Sequence, residues 1–385
     1  MSRKVLPLLL FTVLLFMLPE TAPARVSGPC SNCHTMHNSQ NGGAMNIDGS
    51  SDPNQLLLRT STCTGCHAQG GSSNIVSFNG TMTPQVYHTA ATDLAGGNFA
   101  YIDGLKGSGA SDAKGHNVID LVNRDGTLTV PPGGPVQGGH THPTTMVENL
   151  TCAGLFGCHG NAHFRDPMAS MQGAHHSNPG NYPTHPTGDS VGNSFRFMLG
   201  VEGLETSDWQ NSSSSHHNEY KKDAHQATGP WVNACGWCHG PDNPWHGNSG
   251  DVLAPESGIN YLCMRCHPNF HSGRSQGGDL NDPPFFRHPV NLAIPDKTEY
   301  SAFTTYNVDA PVARNEIPSS PSPEVIPGRS TFWNQGHDYV ACISCHKAHG
   351  TDYPDILRWD YSDMRSAGGS NSNGCFICHT TKDDP

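Results

Sequence analysis

This sequence predicts a mostly irregular chain with short α-helices and few small strands, and three observations predict it. Hydrophobic residues make up only 35% of the 385, while 43 Gly and 30 Pro supply turns rather than core. Helical periodicity is weak throughout, so no long amphipathic element is available to build layers. A histidine directly follows a cysteine seven times, and in six cases the pattern is a complete Cys-x-x-Cys-His.

Taken from the N-terminus, the first element is a leader. Arg3 and Lys4 form a positive start, Val5 to Leu18 an apolar run, and Ala22-Pro23-Ala24 a small-residue cleavage site. That pattern is a secretory signal peptide over 1–24, with the mature chain starting at Arg25. The run of about 14 apolar residues is too short to span a bilayer, and no other segment is hydrophobic enough to try. The expectation is an exported, non-membrane-spanning protein, periplasmic or at the cell exterior.

The six complete motifs are Cys30, Cys33 and His34; Cys63, Cys66 and His67; Cys235, Cys238 and His239; Cys263, Cys266 and His267; Cys342, Cys345 and His346; and Cys375, Cys378 and His379. Two thiols at this spacing add across the two vinyl groups of one porphyrin, and the next residue's imidazole becomes the proximal ligand of its iron. Disulfides would show no coupling to His, and zinc knuckles would group their CxxC pairs in fours. With 24 His in the chain, a His after any one motif is about a 6% accident, so six in six is a chemical signature. The pattern therefore predicts haem c.

The seventh site is Cys152-Ala-Gly-Leu-Phe-Gly-Cys158-His159, with five residues between the thiols. The other six motifs use 12 of the 14 Cys and leave only this pair. A structural disulfide beside a bystander His is the alternative. Gly154 and Gly157 would let the longer loop bulge while both sulfurs reach the porphyrin, so seven haems are expected, six by CxxCH and one by CX5CH. Macrocycles of that number would replace much of the missing apolar core and cross-link the chain.

The motifs divide the mature chain into a two-haem segment over 25–140, a middle segment over 141–230 with the variant site, and a four-haem segment over 231–385. A repeat runs through the first and last: Cys30 to His37, Leu57-Leu58-Arg59, then Cys63; and Cys342 to His349, Ile356-Leu357-Arg358, then Cys375. The unit of construction is the haem pair. Between the motifs, Val118 to Val130 alternates around Asp125-Gly126 and predicts a small hairpin. The stretches 131–139 and 317–328 read as connectors.

Each iron needs a sixth ligand, and after seven proximal His the chain has 17 more. Met, which would raise the potential, lies at no repeated offset, so paired His ligands are expected. His37 and His349 follow their proximal His too closely to fold over the same porphyrin, and are expected to serve the partner sites at Cys63 and Cys66, and at Cys375 and Cys378. The remaining candidates are His142, His163, His217, His271, His288 and His337, each near a motif or flanked by aromatic or Pro residues. The net charge of −12, without a basic cluster larger than Lys221-Lys222, excludes nucleic acid and anionic membrane surfaces as partners.

The CxxCHxxH units, Arg287-His288-Pro289, Cys345-His346-Lys-Ala-His349-Gly and Leu357-Arg358-Trp359-Asp360-Tyr361 resemble the doubled-CxxCH multihaem c-type cytochromes. The resemblance covers Cys30 to His67 and most of the chain from about Ser194; the Cys152 and Cys158 site departs from it. It implies a multihaem cytochrome c wrapped around a chain of about seven covalent haems, carrying electrons along closely packed bis-His irons to redox partner proteins or an extracellular acceptor. Some members form homopolymers. The alternative is a reductase with one open iron, for which the variant site is the candidate, although no motif here replaces its His by Lys.

Overall fold

The structure, a computed structural model, describes residues 28–78, 80–121, 125–132, 147–160, 164–171, 175, 197–198, 201–222, 258–264, 266–267, 288–296, 298–328, 337–366 and 372–382. The leader lies outside the described residues. So does one complete motif, that of Cys235, Cys238 and His239, whose haem is an expectation of sequence alone.

Regular structure is short, because each thiol pair closes a single turn. Five α-helices are described: α1 (Thr64–His67), α2 (Pro167–Ser170), α3 (Ile259–Met264), α4 (Cys342–Cys345) and α5 (Cys375–Cys378), with a 3-10 turn at Cys30–Asn32. All but α2 carry cysteines of a motif. α2 starts where Asp166 accepts hydrogen bonds from the Met168 and Ala169 amides, with Pro167 in the first turn.

Two sheets are described. β1 (Ile75–Phe78) and β2 (Thr81–Pro84) form an antiparallel hairpin whose turn includes Gly80 at φ +93°. The hairpin expected over Val118–Val130 is absent from the described part of that stretch, where 118–121 and 125–130 are turns, bends and chain without regular structure. There Asp125 Oδ1 accepts from the amide and hydroxyl of Thr127, so the Asp-Gly chemistry makes a local turn and no ladder.

The second sheet runs β3 (Gly203–Leu204), β4 (Glu219–Lys221), β5 (Ala313–Arg314), β6 (Asp338–Tyr339). Its β4–β5 pair is parallel and the outer pairs are antiparallel. Arg314 stands opposite Asp338 in this register and is 1% exposed. Its Nη1 donates to Asp338 Oδ2 at 2.7 Å and its Nε to Glu219 Oε2 at 2.8 Å. Buried charges of this kind persist only when paired, and deleting one partner costs about 3–5 kcal/mol.

Among the described residues, buried apolar side chains gather in three small clusters. Val201, Tyr220, Ala313 and Tyr339 pack over the sheet, Ile294, Phe303, Tyr306 and Val312 pack against Ile377 and Cys378 of α5, and Phe99, Ile102 and Val118 pack near Cys152. The sheet also aims a motif: β6 runs into α4, whose Cys342 amide donates to Asn260 Oδ1 of α3 at 2.7 Å.

Candidate haem-binding sites

The thiol turns share one hydrogen-bond pattern. The His amide donates to the carbonyl of the first cysteine at 2.8 Å for His34, 3.0 Å for His67, His267 and His379, and 3.1 Å for His346. This folds the imidazole back under both sulfurs. At three of them the turn is tightened further, because the Cys33, Cys66 and Cys266 amides donate to the Cys30, Cys63 and Cys263 carbonyls at 3.1, 3.2 and 3.2 Å. The CX5CH site reproduces the pattern across its longer insert, with the Cys158 and His159 amides donating to the Cys152 carbonyl at 3.2 and 3.0 Å. The extra residues leave the turn as a loop: Gly154, at φ +83°, receives the Gly157 amide on its carbonyl and donates to the His159 carbonyl. Cys152 and Cys158 are not joined in a disulfide.

Five of the described proximal rings are oriented through Nδ1, which leaves Nε2 for a metal. His34 Nδ1 lies 3.2 Å from the Leu56 carbonyl, His67 Nδ1 2.8 Å from that of Pro84, His267 Nδ1 2.8 Å from that of Pro132, and His346 Nδ1 2.8 Å from that of Asp355. His379 differs, with Nδ1 2.6 Å from the Glu299 carboxylate.

Two of those carbonyls come from the same unusual turn. Leu56 and Leu57 hold φ +57° and +55°, and Asp355 and Ile356 hold +58° and +53°. Consecutive left-handed residues that are not Gly cost roughly 1–2 kcal/mol each. The turn is held by Leu58 and Leu357 bridging to His34 and His346, and by Arg59 and Arg358, whose amides donate to the Cys33 and Cys345 carbonyls at 2.9 Å. The Leu-Arg element of the repeat is thus the brace of a strained turn that presents a carbonyl to the proximal imidazole.

Among the described residues, four pairs of imidazoles lie opposite one another at nearly equal spacing. Ring centres are 6.3 Å apart for His67 and His175, and 6.1 Å for His116 and His267, His159 and His349, and His288 and His379. Two imidazoles on opposite faces of one iron, each nitrogen about 2 Å from the metal and about 1.1 Å from its own ring centre, stand about 6.2 Å apart. The residues fit a haem with two axial His. Among the opposing rings, His116 Nδ1 faces the Ala348 carbonyl at 2.6 Å and His288 Nδ1 the Pro289 carbonyl at 3.0 Å.

Burial favours the neutral, metal-competent form of six of the described imidazoles. It lowers His67, His267, His288 and His346. With help from neighbouring imidazoles, it takes His159 to about 4 and His349 to about 3. Burial also pushes the Cys66 and Cys345 thiols up to about 11 and Cys378 to about 12, so free thiolate chemistry is not what these cysteines are arranged for.

The arrangement of opposing His corrects several expectations. His349 faces His159 of the variant site, not His379, whose facing ring is His288. His37 is exposed, and the ring facing His67 is His175. His217 is fully buried, its Nε2 lies 3.0 Å from Glu219 Oε1, its Nδ1 3.3 Å from the Ser213 carbonyl, and its ring stacks 3.4 Å from Tyr306. Both ring nitrogens are committed. His337 faces the Asp338 carboxylate through Nδ1 at 2.9 Å. His142, His163 and His271 lie outside the described residues, as do the thiols of Cys235 and Cys238 and the proximal ring of His239. Sequence reasoning missed His116 and His175, neither of which has a motif. His116 is held by a carbonyl 232 residues away, which no local spacing reveals.

Residues 336–384 match the family described as Doubled CXXCH motif. Over 396 aligned residues the chain is 24% identical to the C-type cytochrome OmcS of Geobacter sulfurreducens, covering 90% of this chain and 82% of that protein. Among solved structures, the Outer Membrane Cytochrome S Filament from Geobacter sulfurreducens aligns at TM-score 0.43 and 16% identity, over 94% of this chain and 92% of that one. The OmcS nanowires from the same organism align at TM-score 0.41 and 17% identity, over 91% and 88%. The doubled C-terminal unit over 336–384 carries that motif, and the thiol turns at Cys30, Cys63 and Cys263 repeat its hydrogen-bond pattern.

Proposed function

We propose that the chain holds seven haems c, one at each Cys…Cys-His site including CX5CH, and works as an exported electron carrier. The observation that carries this reading is the set of four imidazole pairs at 6.1–6.3 Å. Each is the spacing two imidazoles would have if both held one iron, so these eight His are the residues that would hold four of the haems. The haem of Cys235, Cys238 and His239 is supported by its complete motif. Haem iron supplies reversible one-electron Fe(III)/Fe(II) chemistry. The chain's part is to hold, orient and tune.

Neighbouring sites support one continuous row. Cys33 lies by Cys66, Cys63 against Cys152, and His67 near His159. His349 lies near His116, His267 near His346, and Cys345 near Cys375 and Cys378. The described sites therefore run in the order His34, His67, His159, His267, His346, His379. Three of the four imidazole pairs join the segments 25–140, 141–230 and 231–385, so axial ligation ties those segments into one body. The leader over 1–24 supports release beyond the inner membrane, and the acidic surface suits a basic redox protein or a cationic acceptor.

The test is a spectroelectrochemical titration of the haem-loaded chain. Reversible uptake of seven electrons per chain, without turnover of nitrite or hydroxylamine, is expected. Fewer electrons, or steady reduction of either compound, would replace the carrier with a reductase.

A second reading is a homopolymer in which a His of one copy completes an iron site of the next. It is favoured by His37, which is exposed and, among the described residues, faces no imidazole. Concentration-dependent light scattering that His37→Ala abolishes would support it, and a monomer at every concentration would exclude it.

A further inference from the structure

The support beneath His379 is unlike that beneath the other described proximal rings. His34, His67, His267 and His346 turn Nδ1 toward neutral backbone carbonyls, whereas His379 turns it toward Glu299 Oε1 at 2.6 Å. An ionised carboxylate only accepts, so the imidazole donates this bond, and a charge-assisted bond is shorter and stronger than one to a carbonyl. Glu299 is fixed for the task. It sits in the 3-10 turn Thr298–Tyr300, its own carbonyl accepts from Thr380 Oγ1 at 2.9 Å, and the Tyr300 ring stands 5.1 Å from that of His379. Lys382 Nζ approaches the same Oε1 at 3.6 Å and competes for its charge.

Pulling the Nδ1 proton toward a carboxylate makes the imidazole a more basic ligand, and a more basic ligand favours Fe(III) over Fe(II). We infer that Glu299 is a tuning residue that holds the iron of the Cys375, Cys378 and His379 site at a lower potential than a backbone carbonyl would, making this end of the row its low-potential, electron-donating terminus. The inference rests on the proposal that His379 ligates a haem iron. Electrons entering at such a terminus run downhill toward the carbonyl-supported sites.

The site can be followed by itself. The His288 and His379 rings lie 86° apart, against 32°, 49° and 44° in the other three pairs. Near-perpendicular axial rings leave two iron d orbitals almost degenerate, which sets the low-spin electron paramagnetic resonance of that iron apart.

The experiment compares the haem-loaded full chain with Glu299→Gln and Lys382→Met, reading iron per chain, the low-spin spectrum and a potentiometric titration. Glu299→Gln keeps a hydrogen-bond acceptor and removes the charge. It is expected to raise the Fe(II)/Fe(III) ratio of this one iron at least tenfold at a fixed applied potential, which is about 59 mV for a one-electron couple. Lys382→Met is expected to lower that ratio. An unmoved ratio with iron content and spectrum intact would overturn the tuning role, as would loss of the haem in Glu299→Gln, which would make Glu299 a structural support. A high-spin or absent iron at this site in the unaltered chain would instead overturn the ligation proposal beneath it.

Discussion

The two haem pairs at opposite ends of the chain are built alike at their first site and differently at their second. Cys30–His34 and Cys342–His346 each rest on a left-handed turn, Leu56-Leu57 or Asp355-Ile356, braced by Arg59 or Arg358. The loop reaching that turn spans 22 residues in one pair and 9 in the other, yet it delivers a carbonyl to the same nitrogen. At the second site His67 leans on a carbonyl of the hairpin and faces His175, while His379 leans on a carboxylate and faces His288. The repeat thus fixes attachment and orientation locally. The remote chain that completes each second site is free to vary, and that is where the electronic difference enters.

The surroundings sharpen the contrast, and the largest predicted effect lies there. The C-terminal pair stands on the buried network of Arg314, Glu219, Asp338 and His217. Glu219→Ala should cost about 3–5 kcal/mol, read as a lowered denaturation midpoint, because it strands the Arg314 charge. Burial pushes the Glu219 carboxyl up, but hydrogen bonds from His217 and Arg314 outweigh that and hold it below its usual value. A lowered folded value means its stabilisation is complete above the unfolded value of about 4.3 and is lost as pH falls through the folded one. Melting temperature should therefore fall on acidification below about pH 4.3, and Glu219→Gln should flatten that slope.

The shared brace gives a prediction of equality. Arg59 Nε and Nη1 donate to the Met45 and Asn32 carbonyls at 2.5 and 3.1 Å. Arg358 donates likewise to those of Ile343 and Val308 at 2.7 and 3.1 Å. Arg59→Ala and Arg358→Ala should each cost about 1.5–3 kcal/mol. Denaturation midpoints implying more than about 1 kcal/mol between the two would break the equivalence of the pairs. The smallest effect belongs to the strained turns: Leu57→Gly and Ile356→Gly relieve left-handed strain but loosen the unfolded chain, so each should shift stability by no more than about 1 kcal/mol, with the same sign.

What was legible in the sequence is what covalent chemistry fixes over a few residues. Two thiols and a following imidazole must lie within one turn, so the proximal sites, the short helices and the irregular chain between them could be read directly. The opposing histidines could not. His37 and His349 share an offset from their motifs but not their surroundings: His37 is exposed, while the His349 ring stands 6.1 Å from that of the remote His159. Glu299 is 80 residues from the imidazole it supports. His217 keeps aromatic company while its Nε2 meets the Glu219 carboxylate of a buried charge network.

The most direct test of the account is electron paramagnetic resonance of the oxidised, haem-loaded chain, with iron counted per chain. Seven irons, all low-spin, with one signal set apart by near-perpendicular rings, is the predicted result. A high-spin signal near one iron per chain, or six irons in place of seven, would contradict it, the first by exposing an open site and the second by removing the haem from Cys152 and Cys158.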